Sequence, residues 1–90
     1  MSRTVVVSVT QEDIAAGEPC EALSCPVAIA IRRATGLRTY VDEDTIALGE
    51  RYRGGPFVVS LPPPPEVTRF VDRFDHRRPV SPFTFTLELP

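Results

Sequence analysis

The sequence contains no lysine: all of its 10 basic residues are arginine, set against 12 acidic ones, and the formal net charge is -2. Dedicated nucleic-acid modules carry a clear basic excess, so this balance argues against a nucleic-acid partner. Six of the arginines come as pairs, Arg32-Arg33, Arg51 with Arg53, and Arg77-Arg78, each near acids, which is the pattern of solvated faces and leaves nucleic-acid binding through these pairs as the weaker alternative. No apolar run approaches the roughly 20 residues that span a bilayer. The apolar part of the opening, Val5 to Val9, is too short for a secretory signal and has no small-residue cleavage site after it. These absences lead us to expect a cytoplasmic protein with no membrane partner. Histidine occurs once and cysteine twice, too few to complete the four-ligand set of a structural zinc from these residue types in one chain. There is no phosphate-cradling glycine loop, no serine triad and no pair of catalytic acids in distinct surroundings. A chain of 90 residues is expected to fold as a single domain over 1–90. It buries only about 60 to 65 per cent of its unfolded surface and leaves little room for an enclosed active site. Composition therefore points away from an enzyme.

What the sequence does contain is concentrated between Glu18 and Gly36. Ser24 or Cys25 can cap a helix, Pro26 stands in the first turn where a missing N–H costs nothing, and Val27, Ala30, Ile31 and Ala34 recur on one helical face. Arg32 and Arg33 fall in the last turn, and Gly36 can take the left-handed closing conformation. Val27, Ile29 and Ile31 also alternate like a strand. The proline start, the glycine stop and the three alanines decide for a helix from about residue 25 to Thr35.

Around this helix the pattern predicts strands. Thr4 to Thr10 alternates with Val5, Val7 and Val9 on one side, and Thr10 with Asp13 approximates a capping box for a short helix over Gln11 to Ala16, closed by Gly17. Leu37 to Val41 and Thr45 to Leu48 read as extended, separated by the acidic turn Asp42-Glu43-Asp44. Pro56 opens a further strand in which Phe57, Val59 and Leu61 share a face, pairing as a hairpin with 45 to 48. Four prolines, Pro62 to Pro65, end it. Val67, Phe70, Val71 and Phe74 then mark the clearest helix, ending near Asp75 or His76. Phe83, Phe85, Leu87 and Leu89 alternate without a fault in a closing strand expected to pair antiparallel. The expected fold is α+β, a small, mostly antiparallel sheet with two main helices packed on one face.

Two groups of residues invite a functional reading. Cys20 and Cys25 are separated by four residues, with Cys25 at a helix N-terminus, where the dipole and free amides favour the thiolate. Three readings stay open: small buried or half-buried thiols, a zinc site completed by His76 and a carboxylate or by a second chain, and a disulfide or redox pair. A nucleophilic Cys–His pair requires the fold to bring His76 beside Cys25. The acidic run 42 to 44 lacks the glycine and distal glutamate of a calcium loop. Tyr40, Arg51, Tyr52 and Arg53 are residue types that anchor protein interfaces, which directs attention to the loop from Gly49 to Pro56.

Val-x-Val-Thr-x-Glu-Asp-Ile-Ala-x-Gly at 7 to 17, Cys-Pro-Val-Ala-Ile-Ala-Ile at 25 to 31, and Phe-Val-Asp-Arg-Phe-Asp at 70 to 75 leading to Pro-Val-Ser-Pro-Phe-Thr-Phe at 79 to 85 together cover most of the chain. In these motifs it resembles a group of small proteins encoded by bacteriophages and prophages of high-GC actinobacteria. The use of arginine to the exclusion of lysine agrees with a GC-rich coding genome. The resemblance carries over no functional residues. It implies a setting, a phage accessory protein made inside a bacterial host, and a mode of action, binding a host or phage protein, or a second copy of itself, so as to inhibit or modulate a host function.

Overall fold

The protein is described by a computed structural model that places residues 3–49 and 57–89. Its elements are β1 (Arg3–Val9), α1 (Gln11–Ala16), α2 (Pro26–Thr35), β2 (Thr39–Val41), β3 (Ile46–Gly49), β4 (Phe57–Leu61), α3 (Pro65–Asp75) and β5 (Phe83–Leu89). The punctuation of the sequence sets the bounds of α2. Cys25 is an extended N-cap, Pro26 occupies the first turn, and Gly36 closes the helix at φ 72 with its N–H on the Arg32 carbonyl at 2.8 Å.

The α+β class and the antiparallel pairing hold, with the strands divided between two sheets. β1 and β5 form a two-stranded ribbon in which Val7 faces Phe85 and Val9 faces Phe83. β2, β3 and β4 form an antiparallel meander, Thr39 facing Leu48 and Leu48 facing Val59. Period-two alternation reports which face of a strand is buried and says nothing of which strand lies beside it, so the division was not readable from the pattern. α2 packs on β1 and on β2, one strand from each sheet, and buries Val27, Ala28, Ala30 and Ile31 between them. α3 adds Val67, Phe70 and Val71 to the same core, with the Phe70 ring 5.1 Å from that of Phe83.

Three local features depart from the sequence reading. β2 begins at Thr39, not Leu37. Thr35 Oγ1 accepts from the Leu37 N–H at 3.1 Å and Thr39 Oγ1 donates to the Leu37 carbonyl at 2.9 Å, side-chain bonds that hold this stretch in a turn. In β4 the register shifts between Leu48 and Gly49, so that Gly49 faces Phe57 and Val58 is the extra residue of a bulge. The bulge turns Phe57 off the face it was expected to share with Val59 and Leu61, and its ring lies against Tyr40 on the opposite side of the meander. Arg33, read as part of a solvated pair, reaches back 20 positions to Asp13 with two charge-assisted bonds, Nη1 to Oδ1 at 2.6 Å and Nη2 to Oδ2 at 2.7 Å. Asp13 meanwhile completes the capping box with Thr10, at 2.9 and 3.2 Å.

Gly17 ends α1 with φ -75, a conformation open to any residue. Its glycine is required by a close approach, since a Cβ there would stand 2.5 Å from Pro26 Cδ and 2.8 Å from Pro26 N. Pro26 is buried and opens α2, so it cannot yield cheaply. Gly17→Ala is expected to lower stability by about 2 kcal/mol through overpacking, read as a fall in the urea midpoint at unchanged m-value.

Candidate functional site

A cleft of about 290 Å³ opens where the 18–24 turn, the start of α2, β2 and the end of α3 meet, lined by Cys20, Glu21, Ala22, Cys25, Tyr40, Val41, Asp42, Val71 and Asp75. The turn is held by its own backbone: Ser24 N–H donates to the Glu21 carbonyl and Glu18 N–H to the Ser24 carbonyl, both at 3.0 Å. It is tied to β2 by Val41 N–H on the Ala22 carbonyl at 3.0 Å. It is latched to α3 by Cys20, whose N–H donates to Asp75 Oδ1 at 2.8 Å and whose Sγ lies 3.7 Å from the Asp75 carbonyl oxygen. Cys20 adopts φ 60, a left-handed conformation that costs a non-glycine residue of the order of 1 kcal/mol, and the two bonds to Asp75 hold it there.

Both cysteines are free thiols with different surroundings. Cys20 is exposed, whereas Cys25 is 3 % exposed and its Sγ caps α2 by accepting from the Ala28 N–H at 3.4 Å. Burial pushes the Cys25 thiol up from its ordinary value and outweighs the opposing pull of the Ala28 and Val27 amides. The expectation that the helix N-terminus would favour the thiolate is therefore reversed at this residue, because the thiol that caps the helix is also sealed into the core.

The acidic run forms the turn between β2 and β3. Asp42 Oδ1 accepts from the Asp44 and Thr45 N–H groups, both at 2.8 Å, while Oδ2 accepts from the Tyr40 hydroxyl at 3.0 Å. That acceptor pushes the Tyr40 phenol up. Among the described residues, three carboxylates, Glu21, Asp42 and Asp75, line the cleft, and no arginine does.

The structure brings Cys20 and Cys25 to one cleft and leaves His76 out of its lining. The imidazole Nδ1 donates to the Asp72 carbonyl at 2.7 Å and lies 3.3 Å from Asp72 Oδ1, turned onto its own helix. Among the described residues, no group of three or more His, Cys, Asp and Glu side chains is placed to hold a metal ion.

Of the residues expected to meet a partner, Arg51, Tyr52 and Arg53 lie outside the described residues. Tyr40 is half-buried and stands between the cleft and a second feature on the outer side of the meander. There the Tyr40 and Phe57 rings pack edge to face with centroids 5.9 Å apart, and the Arg38 guanidinium carbon stands 4.1 Å over the Phe57 ring. Phe57 is 37 % and Val58 61 % exposed, on a strand at the edge of its sheet. Sequence reasoning missed Phe57 and Val58 as surface residues, and Gly49 opposite them was the one signal of a bulge.

No helix among the described residues is long and apolar enough to cross a membrane. No protein-family model, curated protein or solved structure matches the chain.

Proposed function

We propose that the chain is a non-enzymatic accessory protein that works by binding a protein partner, and that its contact surface is the outer side of the meander around Arg38, Tyr40, Phe57 and Val58. The observation that carries this reading is a stack of half-buried Arg38 and Tyr40 with exposed Phe57, beside exposed Val58 on an edge strand. Arginine and large aromatic side chains dominate the binding energy of protein interfaces, because each buries a large rigid area and keeps a polar handle. A stack already formed in the free protein loses little side-chain entropy on docking. In the setting that the sequence motifs imply, the partner is a host or phage protein whose action is inhibited or redirected.

The test is capture from host lysate with the tagged full chain, run beside Val58→Glu and Phe57→Ser. Both positions are exposed, so folding is expected to survive, as checked by thermal melting. A stoichiometric partner recovered by the native chain and bound about tenfold or more weakly by each variant is the expected result. Repeated failure to recover any such partner, or equal capture by the variants, rejects the reading.

A further inference from the structure

The thiol-bearing cleft supports a chemical inference that the proposed binding face does not use. The hydrogen bonds of the 18–24 turn fold the chain back on itself, so that residues on its two sides, Cys20 and Cys25, line one cavity. Asp75 lines the same cavity, and Cys20 bonds it through its N–H and approaches its carbonyl with Sγ. The pair is asymmetric, with Cys20 exposed and Cys25 buried. Neither sulfur is committed to a metal cluster among the described residues.

We infer that Cys20 and Cys25 form a thiol–disulfide exchange site, in which exposed Cys20 attacks a low-molecular-weight disulfide and Cys25 resolves the adduct into a Cys20–Cys25 disulfide. In the first step the Cys20 thiolate breaks the S–S bond of the small molecule, takes one half as a mixed disulfide and releases the other as a thiolate. In the second, the Cys25 thiolate attacks Cys20 Sγ and expels the remaining half. Two protein thiols are oxidised to one disulfide, one small disulfide is reduced to two thiols, and the two protons given up by the cysteines end on those thiols. The cleft has space beside Cys20 for the departing half.

The reaction changes what the turn is fastened to. Reduced Cys20 offers its S–H to the Asp75 carbonyl, and Cys25 Sγ accepts from the Ala28 N–H. Oxidation removes that S–H and draws the cap sulfur toward position 20, so a latch to α3 is exchanged for a covalent tie to the start of α2.

The experiment treats the reduced full chain with oxidised glutathione under native conditions and follows intact mass with time, beside Cys25→Ser and Cys20→Ser. Serine is itself a strong N-cap, so Cys25→Ser keeps the start of α2. The native chain is expected to pass through a glutathione adduct and finish two hydrogens lighter as a monomer, Cys25→Ser to stop at the adduct, and Cys20→Ser to react at least about 100-fold more slowly because its remaining thiol is sealed. The second step is expected to keep its rate in dilute urea, since it needs no unfolding. An adduct that persists on the native chain, linkage between chains in place of the internal bond, a Cys20→Ser chain modified as fast as the native one, or a second step accelerated by dilute urea overturns the inference.

Discussion

Ile31→Ala is expected to cost about 4 kcal/mol and to lower the melting temperature by about 20 °C. Ile31 has no exposed surface and sits on α2 where that helix faces both sheets. The substitution removes three carbon atoms. The cavity cannot collapse easily, because α2 packs on both β1 and β2, which share no hydrogen-bonded ladder and are each held by their own. A domain of this size has a total stability of the order of 5 to 10 kcal/mol, so one such side chain accounts for a large share of it. Ile31→Val, which removes a single carbon, is expected to cost about 1 kcal/mol. Urea titration of both variants checks the ratio, and a loss below about 1 kcal/mol for the alanine variant contradicts the placement of α2 at the junction.

Asp13→Ala is expected to cost about 3 kcal/mol, the second largest effect. The carboxylate is buried, accepts two bonds from Arg33 and closes the capping box of α1, so its removal frees the helix start and the arginine together. Hydrogen bonding to Arg33, more than any other cause, holds the Asp13 carboxyl down at about 2, against an ordinary value of 3.8. The unfolded chain therefore binds the proton more readily than the folded one. The resulting stabilisation, about 2 kcal/mol, is fully present above about pH 4 and is lost as the pH falls toward 2. Urea unfolding of the native chain across that window should show this decline, and Asp13→Ala should lack that part of it. Equal slopes in the two proteins count against the pair. Arg33 is half exposed, so the arginine left behind can turn to water, which keeps the cost below that of a fully buried pair.

Both sites show what the sequence made legible. The bounds of α2 could be read because the residues that make them, Cys25, Pro26 and Gly36, act within a single turn of backbone. Thr10 and Asp13 were equally readable as a capping box, whose two bonds span three residues. The bridge from Asp13 to Arg33 was not, because only the packing of α1 on α2 brings them together, and the local reading of Arg33 as a last-turn cation was already sufficient. The alternation of 83 to 89 gave the buried face of β5 without naming β1 as its neighbour.

The same limit governs the cleft. The spacing of Cys20 and Cys25 left open whether they converge, and the turn between them and its bond to β2 bring both to one cleft. Burial was one of the readings left open for both thiols, and it holds for Cys25 alone, where it reverses the expected acidity of the capping thiol. Phe57 left its expected face because one unpaired residue in β4 shifted the period-two count, an offset that an alternating pattern cannot announce. His76 carries an attractive side chain for chemistry and uses its ring on the carbonyl one turn back in its own helix.

The ribbon of β1 and β5 joins positions as far apart as Arg3 and Leu89, and Thr4 bonds Glu88 across 84 positions. During synthesis, β1 leaves the ribosome long before β5, the strand that completes its ladder, exists. Its backbone edge stays unpaired until residues 83–89 follow, and the search for so distant a partner sets a slow tempo for the whole fold. A ribosome stalled within the proline run from 62 to 65 would thus hold a first strand with nothing to pair with.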